Sequence, residues 1–547
     1  AIQVLKGRNL SYLALDVEQI GHVYEGLLDQ TVGRVDGITL QLKGAAKIGR
    51  PLILLNVLES AQGQGSDNLI ALLEERTERS ASALQNDVST PPDKEAAARL
   101  LTGCRGDTAL RDRILPFAHL LASDPWGLPL VHHVGAIVIV HGTDRRESGS
   151  HYTPKSLTEK IVEETLNSVV YHGPAEGWDR HDWALKTPAE LLDLKICDPA
   201  MGSGAFLVQV CRWLADRLVE AWAAEESKGR FIDVEGHVHE CLKNVVDPLN
   251  QDPAERAVQA RRLIAEKCLY GVDMNPLAVE LAKLSLWLTT VANGRPFGFL
   301  DHNLRSGDSL LGINDLEQLI ELDMKPAKSG QLRLFGRTIR KAVEEAMELR
   351  SRLREYPIRD IEDVKAMARL DLASRQSLEL PKLIADAFVG CVLAEKKATD
   401  LNAGIEAIAA LSDSAAGSDV GATDALLDVA LRDLAKNDPH GKPRRPFHWP
   451  LEFPEVFGRE NGGFDAIVGN PPFLGGQRIT GVKGIAYRDW MLSYLADGRR
   501  GSANLVAYFF LRAAQLLREQ GGFGLLAVDT ISEGDTRQVA LEPMLQN

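Results

Sequence analysis

The chain carries, at residues 196–207, a strand, a glycine-containing turn and the start of a helix in immediate succession. The mostly apolar residues 191–196 predict a short strand, and the helical spacing of apolar residues over 206–222 predicts a long helix. The turn between them contains Gly202 and Gly204. This succession is typical of the first unit of a parallel sheet, so we expect an α/β, Rossmann-like fold.

The chemistry of this turn favours a ligand with an amino-acid group over a nucleoside triphosphate. Glycine lets the backbone approach a ligand at points where a Cβ atom would collide with it. Asp198 ends the strand directly before Pro199, so we expect its carboxylate and the bare backbone to face one pocket. No lysine follows the glycines, and the phosphate-binding GxxxxGK[ST] pattern is therefore absent.

Two further acids stand where strands are predicted to end. Residues 268–273 predict a strand that ends in Asp273 and is followed by a helix over 277–291. In a sheet of this class, an acid at the end of the second strand binds ribose hydroxyls, usually about 20 residues after the glycine turn. The separation is longer here, so residues 223–262 are expected to form an insertion. Asp308 marks a third candidate strand end.

A second informative turn, Asn470-Pro471-Pro472-Phe473, follows the apolar residues 464–469. Because two prolines fix the backbone, the Pro471 carbonyl and the Asn470 amide can both accept hydrogen bonds from one planar –NH2 group. An aromatic ring at position 473 can stack on the ring that bears this amine. A double proline can also be only a rigid turn. The functional interpretation depends on its place after a strand, in a chain that already has a candidate cofactor turn.

The composition limits the partners of the chain. The net charge of −14 means that any nucleic-acid contact must be local, because no general basic field surrounds the protein. The six cysteines include no CxxC pair, which argues against a disulfide framework and fits a reducing cytoplasm. No apolar run reaches the length of about 18 residues that predicts a membrane span. We therefore expect no membrane partner.

Two groups of candidate metal ligands occur, and neither predicts a metal site. The histidine pair at residues 132–133 lies in an apolar segment, 128–140, and a buried strand explains it better. His237, His239 and Cys241 have a spacing that zinc ligands use, but nothing nearby completes a tetrahedral set.

These features divide the chain into four parts. Residues 1–145 predict a mainly helical N-terminal domain, and residues 146–329 contain the first, cofactor-side half of the sheet. Residues 330–445 have helical patterns and no obvious chemistry, and they predict a helical insertion in which residues 412–423 form a flexible linker. Residues 446–547 carry the second half of the sheet with the Asn-Pro-Pro-Phe turn.

Taken together, these motifs resemble the γ-type N6-adenine DNA methyltransferases. Within them, the chain is most similar to the large methylases of type IIG/IIL restriction–modification and of the BREX and DISARM phage-defence systems. His151-Tyr152-Thr153-Pro154 resembles the family motif that closes over methionine. The other segments that carry the resemblance are residues 198–206, 271–276, 307–308, 447–457 and 470–473.

The resemblance implies methyl transfer from S-adenosylmethionine to adenine N6 at a specific sequence of double-stranded DNA, with base flipping. It implies other subunits of a defence system as further partners and a cytoplasmic location. The catalytic residues implied are Asn470, Pro471, Pro472 and Phe473. The cofactor-binding residues implied are Tyr152, Thr153, Pro154, Asp198, Pro199, Ala200, Gly202, Ser203, Gly204, Phe206, Asp273, Met274, Asn275, Asp308 and Asn470. No metal is implied.

Departures from the family pattern leave alternatives open. The remaining strands and a target-recognition domain of the family are expected after residue 547, and we find no PD-(D/E)xK nuclease pattern. The Asn-Pro-Pro-aromatic turn also serves enzymes that methylate RNA bases or glutamine side chains, and a non-catalytic scaffold of a defence complex could retain the fold. Cys197 suggests a C5-cytosine nucleophile, but that chemistry expects a Pro-Cys pair on a different loop. We therefore interpret Cys197 as a buried strand residue.

Overall fold

The computed structural model describes residues 4–5, 8–9, 30–45, 49–141, 153–291, 296, 298–326, 333–395, 397–439, 441–499 and 501–546. The chain divides into two compact units, residues 26–145 and residues 146–547 together with 1–25. The short strands Val4–Leu5 and Arg8–Asn9 pair antiparallel. No helix in these described ranges is both long and apolar enough to cross a membrane.

The unit of residues 26–145 combines antiparallel strands with helices around an apolar core. Gln30–Arg34 pairs with Ile137–His141, and Thr39–Gln41 lies between Leu52–Leu54 and Val131–His132. The helices described in this unit are Leu55–Gly63, Ser66–Thr77, Ala81–Ser89, Lys94–Gly103 and Thr108–Ile114, followed by the 3-10 helix Leu115–Leu120. The segment predicted as one strand over 128–140 contains two strands, separated by a turn at Gly135.

The larger unit contains a five-stranded parallel sheet, which confirms the mixed α/β class. Its strands are β1 (Ile196–Asp198), β2 (Leu269–Asp273), β3 (Leu304–Ser306), β4 (Phe464–Gly469) and β5 (Leu517–Leu525). Their order across the sheet is β3-β2-β1-β4-β5, with Ile196 opposite both Leu269 and Ala466. All neighbouring pairs are parallel, so the carboxyl ends of the five strands meet at one edge.

Helices supply the crossovers that parallel strands require. The longer ones are α1 (Lys155–Val170), α2 (Ala205–Ser227), α3 (Pro253–Lys267), α4 (Pro276–Thr289), α5 (Gly336–Arg354), α6 (Ile361–Ser377), α7 (Glu379–Ala394), α8 (Ala398–Ala416), α9 (Val420–Ala435) and α10 (Leu505–Leu516). Shorter helices described in this unit are Pro188–Asp193, Leu316–Glu321, Trp449–Glu452, Pro454–Phe457, Gly476–Lys483, Ile485–Trp490 and Glu542–Gln546. Two short hairpins pair Tyr171–His172 with Ala184–Leu185 and Phe231–Ile232 with Val238–His239.

The strands bury both faces because successive side chains point to opposite sides of the sheet. On one face, Ile196 and Leu269 pack with apolar residues of α1, α2 and α4. On the other face, Cys197 and Tyr270 pack with the aromatic segment 447–457 and with α10. Cys197 is thus a buried strand residue, as predicted from the sequence.

The residues predicted to be a helical insertion form five helices, α5 to α9. The prediction of a flexible linker over 412–423 is wrong, because α8 continues to Ala416 and α9 begins at Val420. The side chain of Asp419 caps α9 by accepting a hydrogen bond from the Gly421 N–H at 2.9 Å. Ser412 is fully buried between the helices. Small residues permit close helix packing as well as flexible chain, so composition alone was misleading here.

Candidate active site

The carboxylate of Asp198 lies buried at the carboxyl end of β1, next to β4. Its Oδ1 accepts a hydrogen bond from the Ala200 N–H at 3.0 Å, whereas its buried Oδ2 has no partner among the described residues. A Cβ atom at Gly469, the last residue of β4, would lie 2.7 Å from Asp198 Oδ1. Burial raises the pKa of Asp198 to about 8, although the hydrogen bond from the Ala200 N–H lowers it. The nearby Asp273 carboxylate also raises the pKa. The described residues therefore do little to stabilise the charged form of this carboxyl group.

The two glycines of the turn serve different purposes. Gly202 has φ +54°, and an added Cβ there would meet nothing within 4 Å, so its backbone borders open space. Gly204 has φ +85°, and an added Cβ would lie 3.1 Å from Ala282 Cβ on α4. The sequence predicts that both glycines approach a ligand. At Gly204, the structure provides another reason for glycine, the close packing of α2 against α4.

Asp273, at the end of β2, is bound to this turn. Its Oδ2 accepts a hydrogen bond from the Gly202 N–H at 2.9 Å, and its Oδ1 accepts one from the Asn275 N–H at 2.8 Å. Burial raises the pKa of Asp273, and these two N–H groups oppose that shift. The side chain is half-buried, and the two backbone bonds fix its orientation. The structure thus joins the first and second predicted strand ends into one site.

Asp308 follows β3 and is held inside the protein. Its Oδ1 accepts hydrogen bonds from the Tyr487 hydroxyl at 2.8 Å and from the Leu310 N–H at 3.1 Å. Burial and the neighbouring carboxylate raise the pKa of Tyr487 well above its usual value, so the hydroxyl remains a donor. The adjacent Ser309 hydroxyl donates to the Pro199 carbonyl at 2.6 Å. This loop therefore braces the glycine turn from the side of β3.

Asn470 follows β4 and is positioned by a residue far away in the sequence. Its Nδ2 donates a hydrogen bond to the Thr153 hydroxyl oxygen at 2.9 Å, although 317 residues separate the two. Its Oδ1 is buried and has no hydrogen-bond partner among the described residues. The amide is therefore held by its nitrogen, and its oxygen remains an acceptor for a group that the chain does not supply.

The rest of the turn is anchored to α10. Pro471 is buried, whereas Pro472 and Phe473 are half-buried. Directly after them, the Leu474 N–H donates to Asn504 Oδ1 at 3.2 Å, and the Leu474 carbonyl accepts from the Leu505 N–H at 2.8 Å. Asn504 also caps α10. The aromatic ring at 473 thus stands on a fixed loop and is partly accessible.

The remaining predicted site residues have varied positions. Tyr152 lies outside the described residues, and Pro154 directly precedes α1. Asn275 accepts from the Leu277 N–H at 3.0 Å and caps α4. Met274 is exposed beside Asp273, and its sulfur lies 3.5 Å from Lys483 Nζ. Ser203 and Phe206 are buried, with Phe206 in the core between α2 and the sheet.

Several residues that hold this site together were not predicted. Tyr487, Asn504 and Gly469 carry no local signal, because their partners are distant in the sequence. Ser309 directly follows Asp308, so its place in a candidate strand end was the only available hint. The two histidines that were considered as zinc ligands, His237 and His239, both contact Asp233. His237 Nδ1 and His239 Nε2 lie 3.2 and 2.8 Å from Asp233 Oδ2, within hydrogen-bond distance.

Comparison with known proteins adds family evidence to this geometry. Residues 267–542, just over half of the chain, match the model of the Eco57I restriction-modification methylase family. The chain is also similar to a protein of Methanocaldococcus jannaschii that is predicted to be a type II restriction enzyme and methyltransferase. The two are 23% identical over 439 residues, which cover 71% of this chain and 32% of that protein. The chain thus spans about a third of the length of the curated relative that it matches.

Proposed function

Because the chain belongs to the Eco57I restriction-modification methylase family, we propose that it is a site-specific DNA methyltransferase acting on adenine N6. The observation that carries this proposal is the buried Asn470 Oδ1, which has no hydrogen-bond partner among the described residues. Buried polar atoms in native proteins are nearly always paired. A planar amine placed against the 470–473 turn would donate to this oxygen and satisfy it.

The residues around the glycine turn fit S-adenosylmethionine. Asp198 Oδ2 is a buried acceptor without a partner among the described residues, suited to the ammonium group of an amino acid. Gly202 borders open space, and Asp273 is a half-buried acid suited to ribose hydroxyls. When bound, this cofactor supplies a methyl group on a sulfonium, which needs no further activation. The protein's task is therefore to position the acceptor amine.

The turn at 470–473 would perform that task. The adenine amine is a weak nucleophile because its lone pair is delocalised into the ring. Hydrogen bonds accepted by Asn470 Oδ1 and by the Pro471 carbonyl would favour a pyramidal nitrogen and stabilise the positive charge that develops on it. Phe473, half-buried on its anchored loop, would stack on the base after it leaves the duplex.

The finer assignment rests on the order of the segments. Residues 151–154, 198–206 and 470–473 follow one another as in the γ-type methyltransferases, and the central place of β1 in the sheet favours a Rossmann-like fold. The proposal includes a restriction–modification or phage-defence system as the biological setting, double-stranded DNA and other subunits of that system as partners, and the cytoplasm as the location.

The test uses the full chain, tritium-labelled S-adenosylmethionine and DNA from a host without adenine methylation. We expect label in N6-methyladenine after digestion to nucleosides, and long-read sequencing of cells with and without the gene should show one methylated motif. Label in RNA, in protein glutamine or in cytosine would contradict the proposal. Failure of the protein to bind the cofactor in calorimetry would support the scaffold alternative instead.

A further inference from the structure

Thr153 and Asn470 form a hydrogen-bonded pair in which Thr153 is buried and Asn470 is half-buried. Thr153 is only 5% exposed, and its hydroxyl oxygen accepts the hydrogen bond from Asn470 Nδ2. Thr153 lies just before α1, and Asn470 lies just after β4. The bond therefore joins the segment before α1 to the turn that carries the unpaired acceptor.

In the orientation that this bond accompanies, the acceptor end of the amide faces away from Thr153. A side-chain amide has a donor end with two hydrogens and an acceptor end with an oxygen. With the nitrogen bound to Thr153, the oxygen is the end left for a ligand. If the amide turned round, its N–H groups would meet the N–H groups of a target amine, donor against donor, and the acceptor would be lost.

We propose that Thr153 is a positioning residue for methyl transfer, acting through Asn470. Its hydroxyl accepts from Nδ2 and holds the Asn470 amide in place, so that Oδ1 can accept from the target amine. This role is separate from the contact with the cofactor that the family resemblance implies for residues 152–154. The inference rests on the proposed function, since it concerns the same amine.

The bond is not explained by the needs of the helix. The residue that precedes the first turn of α1 is Pro154, and no side chain makes a capping hydrogen bond there. Thr158, one turn further on, bonds within its own helix, where its hydroxyl donates to the Lys155 carbonyl at 2.9 Å. Thr153 differs because its hydroxyl accepts from a residue that follows a strand of the sheet.

The experiment compares Thr153→Val, Thr153→Ser and Thr158→Val in the full chain. Valine keeps the shape of threonine but cannot accept the hydrogen bond, whereas serine retains the hydroxyl. We expect Thr153→Val to lower the single-turnover rate of methyl transfer roughly tenfold, with cofactor affinity changed less than about threefold. Thr153→Ser should recover most of the rate. Thr158→Val loses a buried hydroxyl from α1, the helix that follows Thr153, and should methylate normally.

A double variant tests whether Thr153 acts through Asn470. Once Asn470→Ala has removed the amide, adding Thr153→Val should reduce the residual single-turnover rate no further. The inference is overturned if Thr153→Val methylates at the normal rate, or if its defect is entirely a loss of cofactor affinity. It is also overturned if Thr158→Val is equally impaired, since the defect would then be structural. A wild-type protein that methylates no adenine would instead overturn the proposed function.

Discussion

At the scale of single residues, a substitution at Asn470 would distinguish a role in methyl transfer from a role in cofactor binding. If its Oδ1 acts on the amine, Asn470→Ala should bind S-adenosylmethionine with near-normal affinity. Methyl transfer should fall by roughly 10²–10³-fold, as it does when one preorganised hydrogen-bonding group is removed from a transition state. The measurement is turnover on duplex DNA beside calorimetric cofactor affinity. A variant that methylates at the wild-type rate would mean that the catalytic turn lies elsewhere.

We expect Asp198 to make cofactor binding depend on pH. Its pKa of about 8 in the free protein lies above its usual value of 3.8, so the carboxyl is mostly protonated at neutral pH. Because its folded pKa is raised, Asp198 favours the folded state most below pH 4, and this contribution is lost as the pH rises towards 8. A bound ammonium group would favour the charged carboxylate and reverse this trend.

We therefore expect cofactor affinity to rise between about pH 6 and 7.5, by up to tenfold per pH unit, with release of a proton. The rise should level off towards the upper limit, because a free α-amino group has a pKa of about 7.7–8.0 and begins to lose its own proton there. Calorimetry in buffers of different ionisation enthalpy measures the proton release. Asp198→Asn is the control and should bind weakly with no such pH dependence. An identical slope in that variant would assign the proton to another group.

At the scale of elements, the strand ends could be predicted because each combines an apolar run with a turn of distinctive residues. β2 and β4 follow this pattern, and the carboxyl ends meet because the strands are parallel. The strand predicted over 191–196 is wrong except at its end, because Pro188–Asp193 is a helix and β1 begins only at Ile196. The bond between Thr153 and Asn470 could not be predicted, since no local pattern records a contact across 317 residues. The prediction of a flexible linker between α8 and α9 failed for a different reason. The small residues of this segment were interpreted as flexible, whereas they pack between helices.

The glycines of β5 let α1 approach the sheet. A Cβ atom at Gly524 would lie 1.9 Å from Thr165 Oγ1 and 3.0 Å from Ile161 Cγ2, both on α1. The Thr165 hydroxyl already donates to the Ile161 carbonyl at 2.7 Å, so rotating it away would break that bond. β5 therefore tolerates no side chain at this position without movement of the helix.

Gly524→Ala should consequently destabilise the larger unit by about 1–3 kcal/mol, the usual cost of overpacking. The midpoint of urea unfolding measures the effect. The double variant Gly524→Ala with Thr165→Ala removes the clashing hydroxyl and should recover part of the loss. Gly481→Ala, where an added Cβ would meet nothing within 4 Å, is the matched control and should not destabilise. An unaffected Gly524→Ala would mean that α1 does not pack this closely.

At the scale of the larger unit, α5 of the helical insertion contacts the end of β2 that lies opposite the candidate site. Arg354 of α5 donates to the Tyr270 hydroxyl and to the Lys267 carbonyl, at the amino end of β2. Asp273 and the glycine turn lie at the carboxyl end of the same strand. This contact is consistent with the prediction that the insertion carries none of the chemistry. Helices α7 and α9 share an apolar core with Leu474 and Tyr487, so the insertion also supports the loops at the site edge.

A buried group of charges attaches the insertion to the sheet. Arg305 of β3 lies 3.6 Å from both Asp371 of α6 and Glu452, and Lys382 of α7 lies 2.5 Å from Glu452. Burial alone would raise the pKa of Glu452, but the charges of Lys382 and Arg305 outweigh it and lower the pKa to about 2. The folded state thus strongly favours the ionised carboxylate.

Glu452→Gln should therefore destabilise the larger unit at neutral pH by about 3 kcal/mol, because it leaves the buried Arg305 and the half-buried Lys382 with less compensation. The folded pKa is depressed, so the stabilisation is complete above the usual value of 4.5 and is lost as the pH falls towards 2. The difference in unfolding free energy between wild type and variant should accordingly shrink from pH 5 to pH 3. Glu460→Gln, at an exposed position in the same region, should show no difference at either pH. If the Glu452→Gln difference stays constant with pH, the carboxylate is not the group that holds the insertion.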